Sequence, residues 1–82
     1  MSVDKYHGRL WKSVNERVKI IEEVKDLEEK KKIAKETASN VGFAYVTGAI
    51  SEEKMKSMRA HINTVFDDEK NWLTKDDFIF EV

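Results

Sequence analysis

Residues 9–41 read RLWKSVNERVKIIEEVKDLEEKKKIAKETASNV, a run of 33 residues bounded by Gly8 and Gly42 that contains neither glycine nor proline. Within it Ile20, Val24, Leu27, Ala34, Ala38 and Val41 recur at spacings of three and four, with Lys31 the charged intruder on the seam. Such spacing puts these side chains along one stripe of an α-helix. The seam predicts one long helix over residues 13–40, opened by Ser13-Val-Asn-Glu16, which has the form of a capping box. In the alternative reading the helix starts near Asp4 and runs through Gly8, because Tyr6, Leu10 and Val14 continue the spacing. We favour a short N-terminal lid over residues 1–12, with Tyr6 and Trp11 covering the core.

A helix of that length would extend roughly 42 Å at about 1.5 Å per residue. The rest of an 82-residue chain is too short to wrap it. Domains of this size sit near the lower limit for an independent core, and oligomerisation, metal or disulfides commonly supply the missing stability. The chain has no cysteine, so disulfides and Cys-based zinc sites are excluded. The expectation is self-association along the seam of Ile20, Val24, Leu27, Ala34, Ala38 and Val41, as a homodimer or higher oligomer, with Lys31 able to set register.

A second helix is predicted over residues 51–73, antiparallel to the first. Ser51 is a good N-cap, Glu52 and Glu53 complement the positive end of the helix dipole, and Ile50 with Met55 has the spacing of a hydrophobic staple. Met55, Met58, Ile62, Val65 and Phe66 then follow as a core stripe, which Trp72 and Leu73 would extend. Between the helices, Val41-Gly-Phe-Ala-Tyr-Val-Thr-Gly-Ala-Ile50 admits two readings. Its aromatic and β-branched residues suit a strand at 43–47, paired with a second at 77–82. Alternatively Ala38, Val41 and Tyr45 carry the first helix onward until Gly48 stops it. Asn40-Val41-Gly42 favours the strand narrowly. The fold class is thus mainly α, a helical hairpin with a minor two-stranded element, assembling into a helical bundle as one small domain.

Charged residues form 38% of the chain with a net charge of −1. That balance gives no long-range attraction to nucleic acid or to a membrane. The longest uncharged run, Thr37 to Ser51, is too short to span a bilayer, and no targeting signal is evident, so a cytoplasmic location is expected. Lys30, Lys31, Lys32 and Lys35 form the one basic cluster, but three consecutive lysines spread around a helix, with Glu28, Glu29 and Glu36 close by.

Catalytic and metal-ligating patterns are missing from the sequence. Gly48 is followed by Ala49-Ile50, where a phosphate loop needs a lysine and a hydroxyl. His7 and His61 form no helical ligand pair, and Asp4 with His7 lacks a third ligand. No cofactor and no enzymatic activity are expected. Residues 66–78, FDDEKNWLTKDDF, resemble a calcium-binding helix-loop-helix in the Leu-Thr followed by acidic residues and Phe. The likeness breaks where it matters: with Leu73 at the loop's apolar position, the first liganding carboxylate falls on Phe66, and Trp72 replaces or adjoins the glycine of the sharp turn.

The acidic-aromatic tail, residues 74–82, carries the functional expectation. Asp76-Asp-Phe-Ile-Phe-Glu-Val82 resembles the C-terminal tails by which some viral and bacterial replication or transcription factors dock onto a sliding clamp or a similar partner. That resemblance implies a non-enzymatic protein–protein interaction module, acting as adaptor, inhibitor or regulator. Trp72, Phe78 and Phe80 would be its anchors, and Asp76 and Asp77 would steer the encounter. A terminal strand packed on the protein's own helices is the competing reading of the same residues. Two further classes remain open: a nucleic-acid-binding regulator facing phosphates with Lys12, Arg17, Lys19 and the lysine cluster, and a structural assembly component of a viral particle.

Overall fold

The computed structural model describes the backbone of residues 2–78 and side chains from residue 8 onward. Four helices follow one another: α1 Ser2–Glu23, α2 Leu27–Val46, α3 Glu52–Asn63 and the single turn α4 Lys75–Phe78, with a 3-10 turn at Glu69–Asn71 before α4. The mainly helical class holds, with no strand among the described residues.

The predicted long helix is in fact two. Val24, Lys25 and Asp26 leave the helical path, and Asp26 turns extended (φ −78°, ψ 124°) to cap α2, its carboxylate accepting from the Glu29 N–H at 3.2 Å. Aspartate competes for nearby backbone donors, which makes it a poor helix-interior residue and a good cap. The helix start expected at Ser13 is absent. α1 instead begins at Ser2 and passes through Gly8 and Ser13 without interruption, so the separate N-terminal segment favoured before Ser13 is replaced by the alternative helical reading, while the side chain of Tyr6 lies outside the described residues.

α2 also runs further than expected. Residues 43–46 are its last turn and not a strand. The helix ends at Val46, and two residues on Gly48 takes the left-handed conformation (φ +82°) that glycine adopts without a Cβ penalty. The N–H of Ala49 donates to the Ala44 carbonyl at 2.8 Å and that of Gly48 to Tyr45 at 3.0 Å, the paired bonds of a Schellman cap. Gly42, read from the sequence as a break, has a different use. A Cβ there would lie 1.6 Å from the carbonyl oxygen of Phe78, so glycine is what lets α4 cross the face of α2.

The start of α3 is as expected, with Ser51 Oγ accepting from the Lys54 N–H at 3.2 Å. Its end is earlier: the helix stops at Asn63, not at residue 73. The second proposed strand, 77–82, is helical at residues 77 and 78, and its remainder lies outside the described residues.

α2 packs against each of the other three helices. The core joins Val14, Val18 and Ile21 of α1 to Ala34, Ala38 and Val41 of α2 and to Met55, Met58 and Ile62 of α3. Phe78 of α4 closes it at 0% exposure. The radius of gyration is 12.3 Å against about 11.7 Å expected for a compact domain of 82 residues. Folding back on the chain thus covers Ala34, Ala38 and Val41 of the seam without a second chain.

Candidate functional site: a tryptophan-walled groove

The residues proposed for a self-association seam separate into two groups. Ala34, Ala38 and Val41 are fully buried in the chain's own core. Ile20 and Leu27 are 53% and 44% exposed, and Val24 between them is half-buried. As a continuous strip for another chain, the seam is therefore corrected. Only its part around the α1–α2 corner stays uncovered.

The proposed docking tail divides in the same way. Phe78 is a core residue and is not free to anchor a partner. Asp77 is half-buried and used locally, its Oδ2 accepting from the Thr74 N–H at 2.8 Å as the backward half of a capping box for α4. Asp76 is exposed, and Phe80 lies outside the described residues. Of the four that are described, Trp72 is the one that presents a large apolar surface, being 45% exposed.

Trp72 stands where it does because of Asn63, a residue the sequence reading passed over. The Asn63 side chain is buried and makes two bonds to one residue: its Nδ2 donates to the Leu73 carbonyl at 3.0 Å, and its Oδ1 accepts from the Leu73 N–H at 2.7 Å. A primary amide thereby replaces the strand neighbour that Leu73 lacks. Leu73 enters the core, whereas Trp72, next to it in an extended backbone, stays exposed. The indole N–H donates to the Phe66 carbonyl at 3.2 Å, which fixes the ring's orientation while leaving much of it open. The intervening turn is held by Asp68, whose Oδ1 accepts from the Lys70 N–H at 3.0 Å.

Between this loop and α3 lies a groove of about 670 Å³. Trp72, Leu73 and Ala60 supply apolar surface, and Lys56, Arg59 and Lys75 line it together with Glu69. Lys56 and Lys75 are exposed and Arg59 is half-buried. Lys75 also pairs with Glu52 at 3.5 Å, and both members of that pair are about half exposed. An exposed pair of this kind is worth about 0–1 kcal/mol, weak enough to exchange for a ligand carboxylate. The α3 residues had a legible signal, since Lys56, Arg59, Ala60 and Asn63 recur at helical spacing beside the Met55, Met58, Ile62 core stripe.

Other candidates do not converge. Lys12, Arg17 and Lys19 sit on α1, whereas Lys30, Lys31, Lys32 and Lys35 sit on α2, so the corner divides the basic set that one straight helix would have aligned. Lys30 and Lys31 are half-buried. His61, in the last turn of α3, meets Trp11 with ring centroids 5.9 Å apart, and Trp11 packs on the core as expected. Among the described residues no group of three His, Cys, Asp or Glu could hold a metal ion, and no helix is long and apolar enough to cross a membrane. Comparison of the chain with known protein families, curated proteins and solved structures yields no match.

Proposed function

We propose that this protein is a small interaction module, an adaptor, inhibitor or regulator that acts by binding and not by turnover. In this reading the groove between α3 and residues 66–75 receives a short segment of another protein. The segment would present an apolar side chain to Trp72 and a carboxylate to Arg59, Lys56 and Lys75. The supporting observation is Trp72 itself, oriented by its N–H bond to Phe66 yet 45% exposed on the wall of a groove. Tryptophan and arginine are the side chains most enriched among residues that dominate binding energy. A ring already fixed loses little conformational freedom on binding. The partner's sign follows from Lys56 and Arg59 along the groove, joined by Lys75 when it leaves its weak pair with Glu52, against Glu69.

The reading departs from a tail that inserts into a partner, since Phe78 is committed to the core. It keeps the partner class and the role of Trp72. Selection from a random peptide display library tests it, with the whole chain immobilised. Enriched peptides should place Leu, Phe or Trp within a few residues of Asp or Glu. Binding of a selected peptide should weaken at least tenfold in Trp72→Ala and in Arg59→Glu, with circular dichroism unchanged. Enrichment without acidic residues, or affinities indifferent to both substitutions, would reject the groove. Tight salt-dependent binding of single-stranded oligonucleotides at the same residues would instead assign it to nucleic acid.

A further inference from the structure

We propose that the α1–α2 corner is a hinge, and that two chains exchange α1 to form a domain-swapped dimer in which residues 2–46 run as one helix. This stands apart from the groove, which lies on α3 and the loop after it. Three observations carry it. First, the link is only Val24-Lys25-Asp26, and no glycine or proline occurs from residue 9 to residue 41 to oppose continuous helix. Second, the bonds that hold the bend itself are slight: the exposed Asp26 cap on Glu29 at 3.2 Å and a backbone bond from the Val24 N–H to the Ile21 carbonyl at 3.1 Å, whereas the Lys30 N–H to Asp26 carbonyl bond at 2.9 Å has i, i+4 spacing and is kept by a continuous helix. Third, Ile20, Val24 and Leu27 fall on the same stripe as Ala34, Ala38 and Val41, yet the first three are the part the folded-back chain leaves exposed or half-covered.

The occupant follows from the fold. When α1 swings out, it leaves a slot on α2 and α3 shaped for Val14, Val18 and Ile21. The one surface known to fit that slot is the α1 of another copy, so every core contact of α1 is recovered between chains. Opening also pairs backbone groups at the end of α1 and the start of α2 that the bend withholds from helical bonding. Where the two straightened helices pass each other, Ile20, Val24 and Leu27 of each can meet their counterparts. Short hinges favour such exchange and longer ones oppose it.

The test uses the full chain with spin labels at Lys12→Cys and Glu36→Cys, both exposed positions in a protein without native cysteine. Labelled chain is diluted into excess unlabelled chain, and the distance within one chain is measured by pulsed electron resonance across a concentration series. Sedimentation gives the mass of each species. In the swapped dimer the labels lie about 36 Å apart along the straight helix, at about 1.5 Å per residue, and in the monomer they stay at the short hairpin distance. Asp26→Ala removes a cap that only the folded-back monomer uses, from each of the two chains that combine, and should tighten dimerisation on the order of tenfold. Insertion of two glycines after Lys25 should abolish it. A monomer at millimolar concentration even with Asp26→Ala would overturn the proposal. So would a dimer that keeps the short distance, because that is association without exchange.

Discussion

Glycine 42 shows how a single missing atom can set the position of an element. Its α-carbon faces the carbonyl of Phe78 so closely that an added Cβ would fall at 1.6 Å from the oxygen, and that oxygen belongs to the backbone. Relief would require shifting α4 away from α2. Gly42→Ala should therefore destabilise the protein by about 3 kcal/mol, as overpacking against backbone does, measured by urea unfolding followed by circular dichroism. Gly48→Ala should cost about 1 kcal/mol, because only the left-handed backbone is at stake there. The two glycines look alike in the sequence, and only the second could be read from it. Local rules describe a glycine that ends a helix. They carry no information about what a distant residue will press against. Asn63 escaped for the same reason, since its partner Leu73 lies ten residues on, across a turn.

At the scale of elements, the corner between α1 and α2 has a local signal that the reading of one long helix passed over. Asp26-Leu-Glu-Glu29 has capping spacing, as Ser13-Val-Asn-Glu16 does. Of these two candidate starts the chain uses the first and runs straight through the second. Continuous periodicity across residues 20–41 is equally compatible with one helix and with two that fold together, because the stripe stays apolar either way. What decides is the burial gained by closing the hairpin, a tertiary quantity. The Ser51 cap was legible because all its partners are local. α4 is the opposite case: a single turn has no periodicity to detect, and its acidic residues suggested a free tail. Phe78 makes it structural. Phe78→Ala should cost about 3–5 kcal/mol, and removing residues 74–82 should lower the thermal midpoint by much more than Asp76→Ala, as scanning calorimetry would register.

For the molecule as a whole, those costs are large. Domains are stabilised by roughly 0.05–0.15 kcal/mol per residue, which for this chain is about 4–12 kcal/mol. A loss at α4 alone could consume most of it. Every helix touches α2, so no part of the bundle has a separate core on which to persist. Unfolding should be two-state, with the fluorescence of Trp11 on α1 and of Trp72 in the loop after α3, each observed alone in a single-tryptophan variant, changing at the same urea concentration as the helical signal. Divergent midpoints would mean that α1 detaches first. Mainly helical architecture was readable because periodicity belongs to each helix separately. The groove was not, because it arises only when the α3 face and the residue 66–75 loop are brought together.

The two hydrogen bonds between Asn63 and Leu73 have a kinetic corollary. A recognition surface whose wall is already fastened offers an arriving molecule no slow rearrangement to wait for, so docking should proceed in one bimolecular step with linear dependence of the observed rate on concentration. Selectivity among competing ligands would then reside in how long each one stays.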